Sequence, residues 1–441
     1  MPDGNDYDES EPGPFAPPES NRPVARTSRL RKALHPYLQL PAAVHILCFG
    51  SFVNRAGSFV TVFLTIYVSE QLGYGVQFAA NCFGVFGLGS IVSSLAGGQL
   101  ADRFGRKPIM LLALFGAAAA LVMLGFVRER YSFLSLILLF SLAVEMYRPA
   151  ASAMMGDLVD QTHRPLAFGL MYIAFNLGFA VAAPIGGFLA EYSFQLLFFG
   201  DAATTAAYGL IILFFIKETL PKAASDAEVK ADPGLKLASW SDAVRHIKGD
   251  STFLLFSIAT LLTSLVFMQA FSTLPIYMSQ LGFSREKIGW LLSTNGVLIV
   301  VCQIPVTHML NRFHRVLVIL FGELLLSTGF GLTTFAETAP MFFLTIVVWT
   351  MGEVVQAAFK QSLVADLAPQ NMRGRYMGVF SLCHAVGLAV GAPVGGRILE
   401  RWGANVLWPV CFVLTLMAAA VYGVVYLKIA QVARQQSSTT G

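Results

Sequence analysis

The sequence predicts an all-α polytopic membrane protein: twelve transmembrane helices in two pseudo-symmetric six-helix bundles. Three observations lead there. The 441 residues are 55% hydrophobic and only 13% charged, about half the charge of a soluble domain. Apolar runs of the roughly 20 residues needed to span a bilayer recur along the chain, whereas barrel strands would be shorter and would alternate in polarity. The chain also repeats itself. A shift of 209 places Asp157-Leu158 on Asp366-Leu367, Arg164 on Arg373, Ala183-Pro184 on Ala392-Pro393, Gly186-Gly187 on Gly395-Gly396 and Glu191 on Glu400. The same shift puts Asp102-Arg103-Phe104 on Asn311-Arg312-Phe313. One offset serving separated regions means a duplicated six-helix unit.

Taken in order, residues 1–41 mix Asp3, Asp6, Asp8, Glu9 and Glu11 with prolines and glycines and show no apolar periodicity, the composition of a disordered tail. No cleavable signal peptide is expected in them. Arg26, Arg29, Arg31 and Lys32 then precede the first span, which places this tail in the cytoplasm. Twelve spans are expected at about 43–69, 76–100, 108–127, 133–157, 166–190, 194–216, 252–279, 286–308, 315–335, 339–365, 376–400 and 404–428. The N-terminal bundle then covers 42–217 and the C-terminal bundle 251–430. Between them, 218–250 is a polar cytoplasmic linker, in which Trp240 to Ile247 reads as an amphipathic helix on the membrane surface. Residues 431–441 form a cytoplasmic tail.

The charges agree with that topology. Segments assigned to the inside hold about 21 of the 30 Lys and Arg. Those assigned to the outside hold Arg128, Arg130, Arg285, Lys287, Arg397 and Arg401. This bias supports an inner-membrane protein with both termini in the cytoplasm. Cys48, Cys82, Cys302, Cys383 and Cys411 all lie in apolar runs, and an odd, scattered set fits neither a disulfide framework nor a metal cluster. There is no Walker loop, no His/Cys metal spacing and no catalytic constellation. No enzyme activity, cofactor or nucleic-acid partner is therefore expected.

The most specific stretch is Gly98-Gln-Leu-Ala-Asp102-Arg103-Phe104-Gly105-Arg106-Lys107-Pro108, between the second and third spans. Its glycines allow a tight turn and close helix approach. Its three cations are costly in hydrocarbon and hold the loop on the cytoplasmic side. The pattern G-x-x-x-D-R-x-G-R-K-P resembles the loop between helices 2 and 3 of major facilitator superfamily transporters, and the resemblance covers about residues 42–430. It implies that fold, with the first, fourth, seventh and tenth helices lining a central cavity and a substrate site near the midplane. It also implies that Asp157 pairs with Arg106 to latch the outward-facing state, and that Asp102 meets the start of the eleventh helix near Arg373 or Arg375. Asn311 replaces the acid in the second half, so there the latch should be weaker and Arg312 less tightly paired.

Charges within spans are expensive and read as functional. Asn54 and Arg55 sit near mid-depth of the first span, and Glu145 and Arg148 share one face of the fourth, where Pro149 is expected to kink the helix. Arg148 can pair with Glu145 locally, or Arg55 can pair with Glu145 across helices. The tenth span carries Glu353 and, two turns on, Lys360, a candidate counter-charge. The segment Trp349-Thr-Met-Gly-Glu353 looks like that of multidrug/proton antiporters of the superfamily, which implies that Glu353 handles the proton. Proton coupling is thus assigned to Glu353, Glu145 and Arg148. The substrate cavity is assigned to Asn54, Arg55, Gln269, Phe271, Trp349 and Lys360, with Phe359 another aromatic on a cavity helix. Glu323 reads as a pairing residue toward a neighbouring helix, and His384 as a packing histidine.

Two motifs depart from the antiporter pattern: one residue separates Pro184 from Gly186 where the motif has two, and Pro-Ala-Ala follows Arg148 in place of Gln-Gly. With three cavity cations against two carboxylates, neutral, zwitterionic or anionic substrates fit at least as well as lipophilic cations. The expected function is proton-coupled efflux of small amphipathic molecules by a monomer. The alternatives are proton-coupled import of a sugar, peptide or organic anion, and a non-transporting membrane sensor.

Overall fold

A computed structural model describes residues 38–160, 163–219, 240–369 and 372–439. The disordered tail expected before the first span falls almost wholly outside them, as does most of the linker between the bundles. The described residues are mostly helical with no strand among them, and twelve helices are long and apolar enough to cross a membrane: Ala42–Gln71, Gly75–Ser93, Arg106–Phe126, Arg130–Leu158, Leu166–Tyr192, Phe194–Phe215, Ser251–Ser272, Arg285–Leu310, Arg315–Phe335, Ala339–Leu367, Arg375–Trp402 and Ala404–Gln431. Outward faces carry large exposed apolar side chains such as Leu112, Phe126, Phe214, Val301 and Phe343, the surface a bilayer covers.

Three spans are interrupted. The first breaks at Gly57 and Ser58, between helices Ala42–Ala56 and Phe59–Ile66. The seventh is split into Ser251–Phe267, Gln269–Ser272 and Leu274–Gln280, the last piece carrying Pro275 in its first turn. The eleventh passes through a π-helical turn at Gly387–Gly391. Such breaks free backbone groups, which is tolerated at membrane depth only where protein partners satisfy them. The fourth helix, by contrast, runs unbroken through Pro149. The helix Trp240–Gly249 lies before the seventh span, and its His246 Nδ1 is 2.9 Å from Tyr376 Oη in the eleventh. The twelfth helix continues to Thr439, so residues expected as tail are helical.

The helix pairings repeat with the sequence. Second packs on fourth as eighth on tenth, third on sixth as ninth on twelfth, and first on fifth as seventh on eleventh. The main seams joining the halves are the fifth span against the eighth and the second against the eleventh, and the first span also touches the seventh. Small residues let backbones close there. A Cβ on Gly187 would lie 2.6 Å from the Arg285 carbonyl oxygen, and one on Gly84 would lie 2.6 Å from Pro393. Further along the same helices, a Cβ on Gly98 or on Gly169 would meet nothing within 4 Å. The halves are therefore closed against each other at the end holding residues 84 and 187.

Candidate functional site

Between the halves lies a cavity of about 350 Å³. Its N-half wall includes Arg55, Arg148, Phe175, Asn176 and Phe179, and its C-half wall Phe267, Phe271, Asn295, Ile299 and Glu353. Arg55 is in the last turn of the first helical segment. Its guanidinium stands 3.7 Å over the Phe175 ring, a cation–π contact that stabilises a cation without neutralising it. Arg148 Nη1 lies 3.5 Å from Glu145 Oε2, and its side chain is 68% exposed. Glu145 also accepts from Ser90 Oγ at 3.3 Å. Of the two pairings open for Glu145, the local one forms. Glu353 Oε2 accepts from Asn295 Nδ2 at 2.9 Å. That amide also reaches Thr350 Oγ1 at 3.2 Å, so a single asparagine of the eighth span holds the carboxylate at the wall.

Several residues assigned to the cavity turn elsewhere. Lys360 is not the counter-charge of Glu353: it is buried, with Nζ 3.2 Å from Glu323 Oε2 and 5.0 Å over the Tyr422 ring. Two helical turns put Lys360 about 10 Å along the axis from Glu353, beyond ion-pair reach, and a buried ammonium takes the nearest carboxylate. Glu323 is further held by Thr263 Oγ1, which donates to Oε1 at 2.6 Å. Gln269 donates to the Leu265 and Gly391 carbonyl oxygens at 2.9 and 2.8 Å, satisfying backbone freed at the breaks in the seventh and eleventh spans. Trp349 is buried, stacked on Phe330 at 5.6 Å and edge-on to Phe267 at 6.0 Å. It supports the wall from behind. Asn54 donates to Thr205 Oγ1 of the sixth span at 2.9 Å. Phe359 belongs to the C-half core. His384 is exposed, with Nδ1 3.0 Å from Ser264 Oγ.

In the loop motif, Gly105 has φ +103°, a conformation open to glycine alone, and it separates the second and third helices. Arg106 Nε lies 3.1 Å from Asp157 Oδ2, and Lys107 Nζ donates to the Leu213 carbonyl oxygen at 2.8 Å. The expected Arg106–Asp157 pair thus forms, within one half. The expected meeting of Asp102 with Arg373 or Arg375 lies outside the described side chains. In the second half the equivalent pair also forms: Arg315 bonds Asp366, and the 209 shift maps these two onto Arg106 and Asp157. Arg312 stacks over Phe313 as Arg103 does over Phe104.

Sequence reasoning missed three residues. Glu218 accepts from the Arg106 and Lys107 N–H groups at 3.1 and 3.0 Å, capping the third helix from beyond the sixth. Asp201 is buried in the sixth span, where Oδ2 takes the Val60 N–H at 3.4 Å beside the break in the first helix. Asn295 supports Glu353. The last two are polar groups within spans, a signal present in the sequence, but they lie on the sixth and eighth helices, outside the four that the resemblance named.

A model of the Major Facilitator Superfamily matches residues 47–288 and 256–440. A Na(+), Li(+), K(+)/H(+) antiporter of Planococcus maritimus is 27% identical over 402 residues, covering 85% of this chain and 92% of its own. The multidrug resistance protein MdtH of Aeromonas hydrophila is 23% identical over 361 residues, covering 80% and 86%. Among solved structures, a POT family transporter in complex with a thioalcohol-conjugated peptide superposes with a TM-score of 0.73 at 15% identity, over 90% of this chain and 99% of that one. That likeness is one of fold.

Proposed function

The chain belongs to the Major Facilitator Superfamily, and on that premise we propose that this multi-pass membrane transporter exports small amphipathic molecules in exchange for protons. The observation that carries the reading is Glu353. It is a carboxylate on the C-half wall of the central cavity, held by Asn295 at 2.9 Å, with Arg55 and Arg148 on the opposite wall. A carboxylate there can carry a proton or contact cargo, and doing only one at a time is what exchange requires. The antiporter and multidrug names of relatives covering most of the chain support the direction.

The positive-inside rule puts the Gly98–Pro108 loop in the cytoplasm, so the end closed at Gly84 and Gly187 faces outward and cargo loads from the inward side. Cargo enters between phenylalanine-rich walls, and its polar groups meet Arg55, Arg148 and Glu353. Loading expels the proton from Glu353 to the cytoplasm. The halves then rock, and a proton from outside displaces the cargo. The Arg148–Glu145 pair, long at 3.5 Å, opens to admit an anionic group. The cavity is complete within one chain, so a monomer suffices. The bacterial inner membrane is the proposed location.

The test is proton movement in proteoliposomes under an imposed pH gradient, with cationic, neutral and anionic compounds, wild type beside Glu353→Gln. Substrate-dependent proton efflux that Glu353→Gln abolishes is expected. A second reading rests on Arg55, which has no carboxylate within ion-pair distance among the described residues: import of an organic anion with a proton. Proton flux in the same direction as substrate would select it. Transport indifferent to the gradient would remove proton coupling altogether.

A further inference from the structure

Glu191 and Glu400 occupy equivalent positions in the repeat, and neither is explained by the cavity. Each lies in the last turn of its own helix, Arg164–Tyr192 and Ala392–Trp402. An acid is unfavourable there, because the helix dipole is negative at that end and the turn offers no free N–H. Both look outward to the other half. Glu191 Oε1 accepts from the Arg285 N–H at 2.8 Å, at the first residue of the eighth span. Glu400 Oε1 lies 3.5 Å from the Gln77 N–H, in the first turn of the second span. Each acid thus caps, across the seam, a helix start with spare N–H groups and a positive dipole.

A third contact lies between them. Ser279 Oγ donates to Glu70 Oε1. These residues are separated by the repeat offset of 209, so equivalent points of the two halves meet each other, which occurs only on the pseudo-twofold axis. Arg285 adds a bond from Nη1 to the Ala190 carbonyl oxygen at 3.0 Å, and its guanidinium stands 4.6 Å over the Phe194 ring.

We propose that Glu191 and Glu400, flanking the Glu70–Ser279 contact, form a symmetric latch that holds this end of the transporter shut. Rocking the halves breaks all three contacts together, because they share one rigid-body motion. The latch then gives way to whatever closes the other end. Since it joins backbone and carboxylate and touches no cavity residue, it works the same way whatever the cargo and whether or not protons are coupled. The Arg285 side is the tighter, so the fifth–eighth seam contributes more than the second–eleventh.

The experiment measures opening directly. Spin labels at Tyr131→Cys and Glu337→Cys, exposed positions on the two halves, are placed in a background free of native cysteine, and the distance between them is read in nanodiscs without cargo. Glu191→Gln should lower the ratio of short to long distances about fivefold, the effect of losing one charge-assisted cap. Glu400→Gln should lower it less, and the double variant more than either. Glu191→Asp keeps the charge but not the reach, so it should behave like Glu191→Gln. Glu286→Gln, exposed in the same turn as Arg285, should change nothing. Amide hydrogen exchange at residues 285–287 provides a label-free reading: it should quicken in Glu191→Gln and not in Glu286→Gln. A folded, monodisperse double variant with the wild-type distance distribution and unchanged exchange would overturn the latch.

Discussion

Lys360→Met separates a packing role for the tenth helix from a transport role. In the wild type, Lys360 and Glu323 face each other at 3.2 Å with side chains 6% and 0% exposed. Removing the ammonium leaves Glu323, among the described residues, with Thr263 as its remaining hydrogen-bond donor. Water cannot reach a fully buried carboxylate, so a charge is stranded. Breaking a buried pair this way costs about 3–5 kcal/mol. Neutralising both, in Lys360→Met/Glu323→Leu, removes the stranded charge and should recover most of that loss, because apolar replacements of buried pairs are often neutral or stabilising. The assay is thermal unfolding in one detergent, followed by tryptophan fluorescence, for wild type, both single variants and the double. The expected pattern is two low-melting singles and a double near wild type that still transports. If Lys360→Met melts with the wild type yet loses transport, the reasoning fails, and Lys360 returns to the cavity as a counter-charge.

Two further outcomes follow from the loops. Gly105→Ala should lower stability by about 2 kcal/mol, since φ +103° with ψ 151° is open to glycine alone and the new Cβ would lie 2.6 Å from Glu218 Oε2. Gly98→Ala in the same motif, with nothing within 4 Å, should leave the melting temperature no lower, and the same unfolding assay reads both. Glu129 caps the fourth span, accepting from the Tyr131 and Ser132 N–H groups at 2.9 and 2.6 Å. Those backbone bonds hold its carboxyl below the usual carboxylate range. Its contribution is therefore full above the unfolded carboxylate value and is lost as pH falls through the lower folded one. Glu129→Gln should flatten the acid limb of the stability profile, and an unchanged limb would remove Glu129 as a source.

The spans were legible because bilayer thickness imposes a length and an apolar composition that no other segment satisfies. The duplication was legible because glycines and end charges recur at one offset. Side-chain direction was not. Glu353 and Lys360 are seven residues apart and share a helix face in a periodicity argument. Yet one meets the cavity and the other Glu323, because what each faces depends on which neighbour lies at that depth. Gln269 and Asn54 look like cavity polar groups in sequence. They are drawn instead to the Gly391 carbonyl and the Thr205 hydroxyl, partners created only by packing. The break at Gly57–Ser58, where Asp201 meets the Val60 N–H, has no proline to announce it.

The repeat also distinguishes machinery from site. Positions that keep their chemistry at the 209 offset lie at the ends and seams: Arg106 and Arg315 with Asp157 and Asp366, Arg103 and Arg312 each beside a phenylalanine, Glu191 and Glu400. The charged positions at the cavity lose it, as do Asp102, which maps to Asn311, and Glu70, which maps to Ser279. The offset takes Arg55 to Ser264, Arg148 to Ala357, and Glu353 back to Val144. Rocking two halves about an axis needs matched contacts on both sides of it. Recognising an asymmetric molecule needs walls that differ. The cations on one wall and the carboxylate on the other give the cavity a polarity that two identical halves could not. At the cavity, the departures from internal symmetry fall on the residues on which cargo and proton are proposed to compete.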